Sequence, residues 1–393
     1  MSGKFVLTGA KIFDGSMIHD NQGLAISEGS IFGLISPTNL PSGFEEVRLS
    51  GGLISPGFND LQVNGGGGVL FNENPTVEAI KTICSAHMQF GTTGLLPTLI
   101  TDTPEITTAA IDAGISACRE NVPGFLGLHL EGPHLSMEKK GAHDPDLIRT
   151  MDDRDCDQLI AARRELPNLL VTVAPEAVSN DMIARLTKAG IVVSLGHTGA
   201  SYEVAHAARR AGASCITHLY NAMSALTHRE PGMIGAALSP IGFNCGLIAD
   251  GYHVDPVVMS VSLAAKRGPG HIFLVSDAMS TVGSNIEEFE LNGRTVFRKD
   301  GRLTLSDGTL AGANLELNTA VRYLFNSVGV AIEEALRMAT LYPLQTLTGP
   351  TKQDLFVKGE PANFIRMDDD LIVQQVWHTG ELMFDHEGLL QPN

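Results

Sequence analysis

The chain has 393 residues, 43% of them apolar and only 18% charged, with 42 glycines and a formal net charge of −17. Such a composition belongs to a folded α/β protein with a large core, not to a disordered or fibrous chain. The acidic balance argues against nucleic acid and anionic membrane surfaces as partners, because both need basic patches.

The length exceeds one ordinary domain, so a large domain with a smaller companion is expected. Cys84, Cys118, Cys156, Cys215 and Cys245 are odd in number, scattered and without a CxxC pair. That usage suits buried thiols in a reducing cytoplasm. The N-terminus has no apolar stretch of signal-peptide length, and no run approaches the roughly 18 uncharged apolar residues of a membrane span. A cytoplasmic protein without membrane contact is therefore expected.

Residues 4–55 carry short apolar pieces, Phe5-Val6-Leu7, Leu24-Ala25-Ile26, Ile31 to Ile35 and Val47-Arg48-Leu49, between Asp-Gly, Glu-Gly and Pro turn signals. This reads as a small antiparallel β layer. The same style returns in Asn363 to Met367, Leu371 to Val373 and Val376 to Gly380. The two ends, 1–55 with 354–393, are thus expected to combine into one β domain, leaving 56–353 as a second domain.

From Ser55 the rhythm changes to apolar run, polar loop, helix-like segment. The pattern predicts helices over 77–89, 104–119, 155–165, 181–189, 202–211, 256–266, 316–327 and 332–340. Strands are predicted over 95–100, 125–130, 169–173, 191–195, 213–217, 245–249 and 272–275. Ser201 is a ready N-cap and Gly212 a ready stop for the helix between two of these strands. Residues 286–310 break the beat with Phe289 to Phe297 and an Asp307-Gly308 turn, read as an inserted β hairpin or excursion of open purpose.

Alternating β and α units over most of the chain predict a (β/α)8 TIM barrel, whose active site lies at the carboxyl ends of the strands. A doubly wound sheet is the rival architecture, but no GxGxxG opens a helix. Reading strand ends gives Asp60, Gln62 and Asn64 after the first barrel strand, then His129, Glu131, His197, His218, Asp250 with His253, and Asp277.

His197 and His218 end neighbouring parallel strands, so two imidazoles should meet, an arrangement that suits a transition metal. The plain alternative for each is a satisfied loop histidine. Glu131 completes a His2Glu set that leaves metal positions open; its rival role is a buried salt bridge to a Lys or Arg. Asp277 could carry a proton between water and a leaving amine, or merely cap a helix starting at Ala278. His143, Arg229 and His253 lie on loops, each alone a plain solvated residue. Together they would place donors around the mouth of an acidic protein, as a phosphate monoester needs, and Asn221 and Ala222 could add amide donors.

The segments PGFNDLQVNGGGG, GLHLEGPHLSMEKKGAHDP, GIVVSLGHT, THLYNAMSALTHREPG, IADGYHVD and SDAMSTVG together resemble the N-acetylglucosamine-6-phosphate deacetylases of the amidohydrolase superfamily. The resemblance spans essentially the whole chain. It implies a TIM barrel with a composite β-sandwich, a cytoplasmic homodimer, and removal of acetate from an amino sugar phosphate. By matching motif it makes Glu131, His197 and His218 the metal ligands and Asp277 the acid–base; in the mechanism expected from these, His143 helps to stabilise the oxyanion. It gives substrate contacts to Ala142, His143, Asn221, Ala222, Arg229, His253 and the loop Leu310, Ala311, Gly312, Ala313, one phosphate contact coming from a neighbouring subunit.

One departure matters. Many superfamily members carry His-x-His after the first barrel strand, where this chain has Gln62-Val63-Asn64. Neutral amides are poor ligands for zinc-like ions, so one divalent ion per subunit is expected, zinc ahead of iron, cobalt or manganese. Deacetylation of N-acetylgalactosamine 6-phosphate, hydrolysis of another amide on the same barrel, and non-catalytic binding of a sugar phosphate remain the alternatives.

Overall fold

The computed structural model describes residues 3–349, 354–386 and 388. Residues 1, 2, 350–353, 387 and 389–393, which the expected domain ranges include, lie outside the described residues.

Eight parallel strands form one sheet in sequential order: β1 (Phe58–Val63), β2 (Thr92–Ile100), β3 (Leu128–Glu131), β4 (Leu169–Val173), β5 (Val192–Leu195), β6 (Cys215–Ile216), β7 (Asn244–Leu247) and β8 (Ile272–Leu274). Every residue of β1 to β4 is buried, as strands packed on both faces require. Where β8 returns to β1, the segment after β8 closes the ring. Asp277 N–H donates to the Gln62 carbonyl at 3.0 Å, Asn64 N–H to the Ala278 carbonyl at 2.8 Å, and Ser276 N–H to both carboxylate oxygens of Asp60 at 3.2 Å. The barrel reading holds and the doubly wound rival falls.

Helices occupy the intervals as expected, with caps that the residues dictate. Ser201 Oγ accepts from Val204 N–H, and the helix Tyr202–Ala211 stops at Gly212, whose φ is +117°. A Cβ there would lie 2.4 Å from Thr187 Oγ1, so only glycine fits. Thr76, Thr103, Asp152, Ser179 and Asp255 cap five more helices in the same manner.

Several boundaries differ from the sequence reading. Strand β3 starts at Leu128, not Phe125, because Gly127 takes a φ of +136° and Phe125 keeps a single bridge to Leu95. The predicted helix 316–327 is α-helical only over Leu317–Tyr323, then widens into a π turn over Leu324–Val328. Gly232–Leu238 and Leu341–Thr348 are helices that the pattern missed, since neither has a capping side chain and one contains Pro343. Asp60 and Gln62 lie within β1 and not after it; the two-residue period turns Asp60, Gln62 and Asn64 to the same inner side. The inserted segment is a four-stranded antiparallel sheet, not a hairpin: β9 (Glu288–Leu291), β10 (Arg294–Lys299), β11 (Arg302–Thr304) and β12 (Leu310–Ala313).

The chain ends build two further sheets. One contains Lys4–Thr8, Gly23–Ser27, Ser30–Ile35 and Glu45–Arg48. The other is six-stranded and mixes both ends, with Leu53–Pro56 antiparallel to Phe364–Met367. Phe5, Leu7, Leu24 and Ile26 of the first pack with Ile12, Ile54, Phe364 and Trp377 of the second in one buried cluster. All five cysteines are free, and Cys118 is half-buried where the others are buried. Among the described residues no helix is long and apolar enough to cross a membrane.

Candidate active site and metal centre

Glu131, His197 and His218 leave β3, β5 and β6 at the same end of the barrel and meet. His197 Nε2 lies 3.0 Å from His218 Nε2, and Glu131 Oε1 lies 3.2 Å and 3.0 Å from these two nitrogens. All three side chains are buried. His197 Nδ1 donates to the Lys139 carbonyl at 2.8 Å, which fixes the proton on Nδ1 and leaves an Nε2 lone pair facing the others. Lone pairs and a carboxylate oxygen converging on one point repel unless a positive centre sits between them. Donors about 2.1 Å from a tetrahedral ion stand roughly 3.4 Å apart, close to the spacing found. The residues present fit a divalent ion.

Burial would push the Glu131 carboxyl upward, but the two imidazoles beside it pull it well below the ordinary value. Burial would lower His218, yet the hydrogen bond to Glu131 raises it above the usual imidazole value. Neither Lys nor Arg approaches Glu131 within ion-pair distance among the described residues, so the salt-bridge alternative for it is not what the fold provides.

His143 also approaches: one ligand atom from each of Glu131, His143 and His197 lies within 4.8 Å of the others. Its hydrogen bonding assigns it differently. The Thr101 backbone N–H can only donate, and it donates to His143 Nδ1 at 3.3 Å. The ring proton therefore sits on Nε2, making that atom a donor and not a ligand. Burial, then the neighbouring His197, hold His143 well below its usual pKa, so the ring is neutral. We take Glu131, His197 and His218, at 3.0–3.2 Å from one another, as the better ligand set.

Asp277 faces this cluster. Asn64 Nδ2 donates to its Oδ1 at 2.7 Å, and Gln62 Nε2 to the same oxygen at 3.2 Å and to Glu131 Oε2 at 3.0 Å. The amides thus turn donors toward the two carboxylates, where imidazoles would turn lone pairs toward an ion. Burial, then the charge of Glu131, raise the Asp277 pKa above the ordinary carboxylate value. No helix starts at Ala278, which instead bridges Val63 and Ala313, so the capping alternative falls. His197, His218 and Asp277 have φ of +46°, +24° and +51°. Such left-handed conformations cost non-glycine residues about 1–2 kcal/mol each.

A cavity of about 250 Å³ opens over these groups, just below the roughly 300 Å³ at which small-molecule pockets begin. Of the expected residues it is lined by Asn64, Glu131, Ala142, His143, His197, His218, Asn221, Ala222, His253, Asp277, Leu310 and Gly312. Gln62 stands just behind the wall, and Ala311 and Ala313 are buried in β12. Arg229 is exposed and not part of the lining. His253 Nδ1 is held by Asp250 Oδ2 at 2.7 Å, leaving the other ring nitrogen available.

Two strand-end candidates belong elsewhere. His129 lies deeper in the barrel, with Nε2 2.8 Å from Thr172 Oγ1, and burial lowers its pKa to about 4. Asp60 serves the seam between β8 and β1. The sequence reading missed Thr101, Ile100, Gly141, Met279, Leu291 and Thr309, of which all but Thr101 line the cavity. Thr101 and Ile100 could have been found by applying the strand-end rule to β2; Leu291 and Thr309 arrive by long-range folding of the insertion, which leaves no local signal. A larger groove of about 790 Å³ between the end sheets and the barrel, lined by Lys11, Arg48, Asp368 and their neighbours, gathers no comparable set of ligands or proton carriers.

Residues 53–383 match the amidohydrolase family. The N-acetylgalactosamine-6-phosphate deacetylase of Shewanella sp. (strain ANA-3) is 41% identical over 384 residues, covering 97% of this chain and 96% of that protein. The N-acetylglucosamine-6-phosphate deacetylase of Haemophilus influenzae is 34% identical over 342 residues, covering 86% and 88%. The solved N-acetylglucosamine-6-phosphate deacetylase from Pasteurella multocida superposes with a TM-score of 0.91 at 32% identity, covering 96% of this chain and 99% of that one.

Proposed function

We propose, since this chain belongs to the amidohydrolase family, that it hydrolyses the acetamide of N-acetylglucosamine 6-phosphate to glucosamine 6-phosphate and acetate. The reading is carried by one observation: Glu131, His197, His218, His143 and Asp277 meet in a single cavity. The higher identity to the Shewanella relative favours a second reading, in which the 4-epimer N-acetylgalactosamine 6-phosphate is the preferred substrate.

In this proposal Glu131, His197 and His218 hold one divalent ion, zinc first, with iron, cobalt and manganese as competitors. When bound, the ion supplies Lewis acidity, polarising the amide carbonyl and easing deprotonation of water. The His143 Nε2–H donates to the carbonyl oxygen as negative charge develops there. Asp277, its Oδ1 held by Asn64 and Gln62, takes the proton of the attacking water on Oδ2 and passes it to the sugar nitrogen as the C–N bond breaks. Asn221, Ala222 and His253 position the sugar phosphate, with Ala142, Leu310 and Gly312 in the cavity wall and Ala311 and Ala313 buried in β12. Arg229, exposed outside the cavity, fits a phosphate contact made across a homodimer. We assign residues 1–55 with 354–393 to the sandwich domain and 56–353 to the barrel, in a cytoplasmic protein.

The test is acetate release from both 6-phosphorylated epimers by purified protein, before and after chelation, with metal content quantified. Acetate from neither sugar, or an undiminished rate in metal-free protein, overturns the proposal. A higher kcat/KM on the galacto epimer selects the second reading.

A further inference from the structure

We propose that Ile100, Met279 and Leu291 form the pocket for the acyl group, and that the inserted sheet, through Leu291, restricts the reaction to short acyl chains. The inference rests on the amide-hydrolase reading above and extends it to a part of the substrate that reading leaves undefined.

The cavity lining is mixed in polarity. Glu131, His143, His197, His218, Asn221, His253 and Asp277 supply polar groups, while Ile100, Met279, Leu291 and Leu310 supply large apolar side chains, the first three of them packed together. These three belong to one packed cluster with Leu70, Val296 and Leu303, separate from the main barrel core. The cluster adjoins the reacting groups for reasons of register. Ile100 is the last residue of β2 and pairs with Glu131 of β3. Met279 is two residues beyond Asp277, and its N–H donates to the Ala313 carbonyl at 3.1 Å.

An amide carbonyl carbon held between Glu131 and Asp277 carries two substituents. The nitrogen leads to a hydroxylated ring and a phosphate, which need donors. The acyl carbon needs none, and an apolar wall is the surface that receives it without leaving a buried polar group unpaired.

The pocket is also bounded. Ile100, Met279 and Leu291 are 7%, 2% and 1% exposed, so they cannot swing aside freely. Gly312 crosses directly behind Met279, where a Cβ would stand 2.5 Å from its Cγ. β10 is tied to the cavity wall by Arg294, whose guanidinium donates to the carbonyl of the cavity-lining Ala142. An additional methylene gains from burial only when there is room for it; here there is little, so longer chains meet side chains instead of space.

The experiment compares kcat/KM for N-acetyl, N-propanoyl and N-butanoyl hexosamine 6-phosphate in the wild-type protein and in Leu291→Ala, Met279→Ala and Leu291→Phe. In every case the amide C–N bond is hydrolysed to the carboxylate and the free amine, so amine formation reads all substrates alike. Ratios between substrates are compared, which cancels partial damage to the site. The wild type is expected to lose at least tenfold from acetyl to butanoyl. Leu291→Ala and Met279→Ala should raise the butanoyl-to-acetyl ratio about tenfold, and Leu291→Phe should depress the propanoyl-to-acetyl ratio. If Met279→Ala does not fold, the two Leu291 variants, which change the pocket in opposite directions, decide. Deacetylation with ratios unchanged in both overturns the acyl pocket alone. A wild-type protein inert on every N-acyl hexosamine phosphate overturns the functional reading beneath it.

Discussion

Asp277 is held at a φ of +51° with its backbone in the seam that closes the barrel and its Oδ1 committed to two amide donors, which fixes the carboxylate over the cavity. Asp277→Asn is therefore expected to retain its metal while kcat falls by about 10³, within the range for general acid–base groups; unchanged turnover by acetate assay contradicts the role. Burial, then the Glu131 charge, raise its pKa, and it accepts a proton only when ionised. Activity should therefore fall on the acid side as Asp277 takes up a proton, and this limb should vanish from the residual activity of the Asn variant. Metal analysis should return one ion per chain, since Gln62 and Asn64 direct N–H groups into the place a second ion would need; two ions per chain would contradict this. Most of these residues were legible because strand ends could be read from apolar runs. His129 was misplaced for a definite reason: it shares the inner face with Glu131 two positions on, and alternation reports side but not depth along the barrel axis.

At the scale of elements, the closure between β8 and β1 depends on a carboxylate, Asp60, that burial pushes up to about 7 despite hydrogen bonds from Ser276 and Gln62. In the unfolded chain it titrates near 3.9. Below about pH 4 both states are protonated and no penalty arises. As pH rises from about 4 to 7 the folded state retains a proton that the unfolded state has released, and stability falls, by about 4 kcal/mol at the end of that window. Asp60→Asn should flatten this decline, measured as unfolding free energy by denaturant titration across that pH range; a slope equal to the wild type would show that Asp60 is ionised in the fold. In the insertion, Arg294→Ala should raise KM about tenfold with kcat little altered, because it frees β10 from the Ala142 carbonyl. An unaltered KM would show that the sheet needs no such tie. Helix Tyr202–Ala211 could be read to its first and last residue from Ser201 and Gly212. The insertion could not, since its strands pair with one another through turns that look like any hairpin, and nothing in residues 286–310 announces that Leu291 returns to the cavity.

For the whole molecule, removing the metal should lower Tm as well as activity, because an ion bound only by the folded state stabilises it by mass action. Chelation that abolishes turnover but leaves Tm unmoved would place the ion outside Glu131, His197 and His218. If Arg229 serves a neighbouring copy, mixing Arg229→Ala with Asp277→Asn protein should recover activity that neither has alone, since a mixed dimer contains one intact site; no recovery would place Arg229 in its own subunit's site. The likeness of the two chain ends in strand style was legible at this scale, whereas the register that sets Leu53 against Met367 was not, because pairing partners so distant leave no spacing to count. That pairing has a bearing on biosynthesis. Leu53–Pro56 emerges from the ribosome before any barrel strand, yet its neighbour Phe364–Met367 is translated after all eight. An early strand must wait with an open edge through almost the entire period of elongation, so slowed translation late in the message should increase aggregation of nascent chains far more than the same delay imposed near its start.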